Sequence, residues 1–193
     1  LAQQQALQTA NAELERLSQT DGLTGLANRR HFDQALEREH GRYQRTGAAL
    51  SLLMLDVDDF KHVNDHYGHA LGDDYLCAVA RVLERSVARA TDLVARYGGE
   101  EFACLLPDTD HASACAVAER IRAAVAELDL PNATAATPYL TVSIGLATLQ
   151  GGEHAASALV ARADAQLYAA KQAGRNRVCA TVLPQPSPAA LVR

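Results

Sequence analysis

At 193 residues the chain is long enough for one domain with a sizeable core plus short extensions. Hydrophobic residues make up 48% of it, yet no apolar run reaches membrane-spanning length, which excludes a membrane span within this fragment. A net charge of -5 argues against nucleic acid as a partner, because that usually shows a basic footprint; a small polyanion still fits beside a local basic patch or a metal ion.

Residues 1–19 are helix formers without Gly or Pro. Leu7, Ala10, Leu14 and Leu17 follow a/d spacing, which predicts an N-terminal signalling helix that pairs as a coiled coil; the alternative is a helix packed on its own domain. "ALSLLMLDV" (Ala49 to Val57) is a continuous apolar run, expected of a central buried strand. A helix is predicted from about Leu71 to Ala88, with Leu76, Val79, Ala80 and Leu83 on one face. "DLVARY" and "EEFACLL" read as a hairpin joined by Gly98-Gly99 in a type I′ turn. Then come an amphipathic helix ("ASACAVAERIRAAVAEL"), a strand ("YLTVSIGLAT"), a helix with a glycine stop ("ALVARADAQLYAAKQAG") and a last strand ("RVCATV"). The order βαββαβ, with additions, predicts an α/β (α+β) fold of ferredoxin-like type, with a mixed, largely antiparallel sheet wrapped by helices. The tail, residues 183–193, is proline-rich and expected to be disordered.

The four cysteines, Cys77, Cys104, Cys115 and Cys179, lack any Cys-x-x-Cys spacing and read as small core residues in a reducing, cytoplasmic setting. A glutamine-rich opening at Leu1 predicts no signal peptide, and the missing initiator Met leads us to expect further sequence upstream.

"RYGGEEF" (Arg96 to Phe102) sets two acids directly after two glycines. Asp56 ends the first strand, where ligands gather in such sheets, and the hairpin tip brings Glu100 or Glu101 beside it. Alternation sends the two glutamates to opposite faces, so one of them shares the Asp56 face. Two converging carboxylates suit Mg²⁺, and side-chain-free glycines let a bulky nucleotide approach. The bland alternative is a solvated acidic turn with Arg96 pairing Glu101. In "VDDFKHVNDHYGHALGDDYL", a turn after the strand offers N–H groups to phosphates and Lys61 adds a charge. Asn64 and Asp73 carry the amide and carboxylate that can read a guanine edge. His62 and His66 have zinc-pair spacing without a third ligand, so solvated histidines are the better reading. Lys171 and Arg175 sit one helical turn apart, which alone would be an ordinary helix end.

In series, "DGLTGLANRRHF", "LDVDDFKHVNDHYGHALGDDYL", "RYGGEEF", "TVSIGLA" and "LYAAKQAGRNRV" resemble the signatures of the GGDEF family of diguanylate cyclases, over residues 20–182. The resemblance implies a nucleotide-cyclase-like fold and condensation of two GTP into cyclic di-GMP with release of pyrophosphate. It implies Mg²⁺ (or Mn²⁺) held by Asp56, Glu100 and the Val57 carbonyl, with Glu100 also the base and Glu101 supporting it. Asn64, Asp73, His69 and Phe60 would surround the guanine nucleotide, and Lys61, Lys171 and Arg175 would neutralise its triphosphate. Arg89 and Asp92, in "RATD", resemble the family's inhibitory product site, with Arg120 as its second arginine; a helix-end cation and a strand-opening acid are the plain alternative. One site holds one GTP, so a homodimer through the N-terminal helix is implied, driven by an upstream sensor. A catalytically silent relative that senses GTP or cyclic di-GMP is the alternative, but the acidic loop here is intact.

Overall fold

A computed structural model describes residues 19–87, 89–133 and 136–183. Residues 1–18, where the sequence leads us to expect a coiled coil, and the proline-rich residues 184–193 lie outside the described residues. The chain runs α1 (Arg29–Thr46), β1 (Leu50–Val57), α2 (Phe60–Tyr67), α3 (His69–Ser86), β2 (Leu93–Arg96), β3 (Glu101–Pro107), α4 (His111–Ala126), β4 (Val142–Leu149), α5 (Ala156–Gln172) and β5 (Val178–Leu183).

The sheet order is β2-β3-β1-β4-β5. β1 pairs antiparallel with β3 and β4, β2 pairs antiparallel with β3, and β5 adds in parallel to β4. The first four strands therefore take the split βαββαβ arrangement, and the last helix–strand unit extends it. All eight β1 residues are buried, as an apolar run without alternation requires when both faces are covered.

Alternation along β1 separates two cores. Leu53, Leu55 and Val57 face α3 and α4 with Phe102, Cys104 and Ile144. Leu52 and Met54 face α1 and α5 with Phe32, Tyr43, Ala103 and Leu167. A methyl group at Gly145 would strike the backbone of α5 at Ala163 and Leu167, so this glycine sets how closely that helix lies on β4.

Three features differ from the sequence reading. Helix α1 was not anticipated as an element, although its ends are marked: Asn28 Oδ1 accepts the His31 N–H at 3.0 Å, and Gly47 closes it at φ 70°. The single helix expected from Leu71 begins earlier, and a short helix precedes it, because Gly68 at φ 86° breaks the chain between α2 and α3. The hairpin is not a type I′ turn: neither Gly98 nor Gly99 has positive φ, and Tyr97 and Gly98 both donate to the Glu101 carbonyl, at 2.8 and 3.2 Å.

Edge strand β2 is partly covered. The Ala27 N–H donates to the Val94 carbonyl and the Arg96 N–H to the Ala27 carbonyl, so Ala27 bridges to the edge at Ala95. Among the described residues, no helix is long and apolar enough to cross a membrane.

Candidate active site

The carboxyl end of β1 opens into a cavity of about 200 Å³ lined by Asp56, Val57, Asp58, Asp59, Phe60, Lys61, His62, Glu100, Lys171 and Arg175. Three elements build it: the end of β1 with the start of α2, the hairpin tip, and the end of α5. No side chain caps the N-terminus of α2, which leaves its first N–H groups to a ligand.

Asp56 carries the cavity's ion pair with Lys171. It is buried, and Lys171 Nζ meets its Oδ2 at 2.8 Å. Burial pushes the Asp56 carboxyl up to about 6; the Lys171 ammonium opposes that, and the charges of Glu100 and Glu101 add to it. Strand register pairs Asp56 with Glu101, so Glu101 is its neighbour on the same sheet face. Yet Glu100, not Glu101, lines the cavity. The Glu101 carboxylate folds back instead, against Gly98, where an added Cβ would lie 2.7 Å from Oε2. Arg96 does not pair with Glu101; it binds Asp21 at 3.2 Å and the Gly99 carbonyl at 2.8 Å.

Lys171 thus sits on Asp56, and Arg175 Nε lies 3.4 Å from Asp59 Oδ1. Asp58, which the sequence reading passed over, is 3% exposed and accepts from Thr141 Oγ1 (2.7 Å), Ser143 Oγ (2.6 Å) and the Asn176 N–H (3.1 Å). It ties β1, β4 and the α5–β5 loop together; only the carboxylate-rich "DVDD" run could have signalled it.

On the α2–α3 side, Asn64 Oδ1 is buried without a hydrogen-bond partner. It lies over Gly72, where any Cβ would collide with it, and beside the Phe60 ring. Asp73 follows at once and is exposed, as is His69. A buried amide oxygen lacking a donor, next to a free carboxylate, can accept from a guanine N1–H and 2-amino group.

Among the described residues no three His, Cys, Asp or Glu side chains gather into a metal cluster. What the cavity offers is Asp56, Glu100 and backbone oxygen at Val57, a sparse all-oxygen set. Such a set fits Mg²⁺ or Mn²⁺, which complete their shells with phosphate oxygens and water.

A larger cavity, about 560 Å³, lies at the opposite end of β1, roughly 25 Å away along the strand. Arg89, Asp92 and Arg120 all line it, with Thr109 and Ser113. Arg89 Nη1 donates to Thr109 Oγ1 at 2.8 Å, and Arg120 Nη2 to the Ser86 carbonyl at 2.7 Å. Asp92 Oδ1 is buried and unpartnered, and burial raises its carboxyl, against the pull of Arg89.

The fold is an α/β domain whose five-stranded sheet carries acids at the end of β1 and places Lys171 and Arg175, at and just beyond the end of α5, beside them. Residues 18–177 match the family described as "Diguanylate cyclase, GGDEF domain", and the chain belongs to that family. Diguanylate cyclase DgcM of Escherichia coli (strain K12) is 46% identical over 168 residues, covering 87% of this chain and 40% of DgcM. The coiled coil and GGDEF domain of DgcB from Caulobacter crescentus, in complex with c-di-GMP, superposes with a TM-score of 0.78 at 36% identity, covering 93% of this chain and 94% of that one. The active GGEEF domain of a diguanylate cyclase from Vibrio cholerae gives 0.74 at 32% identity, covering 83% and 99%. The chain spans less than half the length of the curated relative DgcM. Family members generally use a divalent metal ion.

Proposed function

We propose that this chain is the catalytic domain of a diguanylate cyclase, joining two GTP into cyclic di-GMP with release of two pyrophosphates. The observation that carries this is one pocket in which Asp56 and Glu100 face Lys61, Lys171 and Arg175. Catalytic acids and phosphate-neutralising cations are thereby within reach of one triphosphate.

Asp56, Glu100 and the Val57 carbonyl would hold Mg²⁺ or Mn²⁺, which when bound supplies charge to offset the triphosphate. Asn64 and Asp73 hold the guanine, flanked by Phe60 and His69. Lys61 and Arg175 bind phosphate oxygens; Lys171 joins them once Asp56 has another cation to balance it. Glu100 accepts the proton of a ribose 3′-hydroxyl, whose oxygen bonds to the α-phosphorus of the second GTP as pyrophosphate leaves. Glu101 closes the hairpin tip rather than touching substrate.

Each domain offers one such site, so two chains meet as a homodimer, with residues 1–19 as the coiled coil that raises effective concentration. Residues 20–182 belong to the cyclase domain, and Leu183, which closes β5 and is buried, belongs with them rather than with the tail. The cavity around Arg89, Asp92 and Arg120 binds cyclic di-GMP and restrains the enzyme. DgcB has been seen in complex with c-di-GMP, which supports that reading by likeness. Incubation of the dimer with GTP and Mg²⁺, followed by chromatography of the nucleotides, is expected to yield cyclic di-GMP. GTP left intact by the dimer would overturn the assignment.

A further inference from the structure

The loop between α5 and β5 holds three successive residues in the left-handed region: Gly174 at φ 111°, Arg175 at 62° and Asn176 at 45°. Glycine takes this conformation freely and asparagine tolerates it, but arginine does so at a cost in free energy. Such a conformation persists only where its surroundings over-determine it.

Two of the restraints are ordinary for a helix end: the Gly174 N–H donates to the Lys171 carbonyl at 3.3 Å and the Arg175 N–H to the Ala170 carbonyl at 3.0 Å. Two others come from far away in the chain. Buried Asp58 accepts the Asn176 N–H, and Arg122 Nη1 donates to Asn176 Oδ1 at 2.9 Å. Arg122 stands on α4, outside the nucleotide cavity, and Glu119 steadies it at 2.8 Å. Asn176 is thus clamped at both backbone and side chain, and the residue before it is Arg175.

We propose that Arg122 is a positioning residue for nucleotide binding: by gripping Asn176 it locks the left-handed loop that aims Arg175 into the pocket. This rests on the reading of Arg175 as a phosphate ligand. The contact is polar and one-quarter exposed, so its loss removes no core packing. Its effect is carried by geometry instead, since a guanidinium displaced by about 1 Å loses much of its grip on a phosphate.

The test compares Arg122→Ala and Arg122→Lys with the unaltered dimer, each also in an Arg175→Ala background. Steady-state kinetics gives KM and kcat for GTP, and NMR hydrogen exchange follows the Asn176 amide. Arg122→Ala is expected to raise the KM for GTP about tenfold while kcat changes little, as for other supporting-shell residues. Lysine should recover part of the loss, having one donor able to reach Asn176. With Arg175 already removed, loss of Arg122 should add nothing, because the effect runs through Arg175. The Asn176 amide should exchange faster in Arg122→Ala whether or not nucleotide is turned over. An unchanged amide, an unchanged KM, or equal KM increases in both backgrounds would each overturn the proposal. If the unaltered dimer makes no cyclic di-GMP, it is the functional reading that fails, while the amide still decides whether the clamp exists.

Discussion

Asp21 and Arg96, 75 residues apart, form a half-buried ion pair at 3.2 Å, and the same guanidinium binds the Gly99 carbonyl at the hairpin tip. The loop before α1 therefore braces the turn that carries Glu100. Burial alone would raise the Asp21 carboxyl, but the Thr24 N–H and hydroxyl together with Arg96 outweigh it and hold it below 3.8. A carboxyl lowered in the folded state stabilises the fold above its unfolded value, and that contribution is lost as pH falls through the folded value. Asp21→Asn should therefore be less stable than wild type by about 1 kcal/mol at neutral pH. The gap should close below about pH 4. Urea titrations over a pH series check this; a gap that widens on acidification contradicts it.

Glu100→Gln should lower cyclic di-GMP synthesis by about three orders of magnitude or more, since on the proposed mechanism one change removes both a metal ligand and the base. Glu100 lines a solvent-open cavity and not the core, so the fold should survive. Turnover and circular dichroism measured on the same preparation decide it. Near-native turnover by folded protein refutes the role.

What could be read from sequence here was local. The unbroken apolar run of β1 and the Gly-Gly hairpin gave the central sheet, and the strand end placed Asp56. Alternation alone left Glu100 and Glu101 open and only the family resemblance chose Glu100; the structure adds that register puts Glu101 opposite Asp56 while its side chain turns away to Gly98. The links Asp21–Arg96, Asp58–Asn176 and Arg122–Asn176 join residues from 54 to 118 positions apart and leave no periodicity to find. Helix α1 is a different case. Its caps and its apolar spacing at Phe32, Ala35, Leu36 and Tyr43 were legible, but the residues were read as a motif and not as an element.

Arg89→Ala should weaken cyclic di-GMP binding and raise the final yield of product, leaving the initial rate nearly unchanged. The mutated residue lines the far cavity and is not among the residues lining the Asp56–Glu100 cavity. A bidentate arginine–phosphate contact is worth about 1.5–3 kcal/mol, so affinity should fall roughly tenfold to a hundredfold. Calorimetry with cyclic di-GMP provides the check, and equal affinities would count against a product site here.

Specific activity should fall on dilution, and Leu14→Lys with Leu17→Lys should make it fall at higher concentration. Charges at a coiled-coil seam oppose pairing. Sedimentation and rate are measured across one dilution series; constant specific activity where both proteins are monomers would argue against a reaction between chains.

Gly72→Ala tests the proposed guanine site most narrowly. The added methyl would occupy the space of Asn64 Oδ1, with the Phe60 ring close behind, so the Asn64 amide must swing aside. α3 itself should tolerate the change, because alanine suits a helix better than glycine does. The expected result is a domain at least as stable as wild type in its helix but weaker for GTP. Loss of one or two hydrogen bonds to the base should cost about 1–3 kcal/mol, roughly a tenfold to hundredfold rise in the Kd of a non-hydrolysable GTP analogue. Binding of the corresponding ATP analogue should change far less, so discrimination between the bases narrows. Asn64→Ala, which removes the amide and leaves room, should weaken GTP similarly without any steric effect. If Gly72→Ala weakens both analogues equally, the residue shapes the pocket as a whole; if it weakens neither, Asn64 does not read the base.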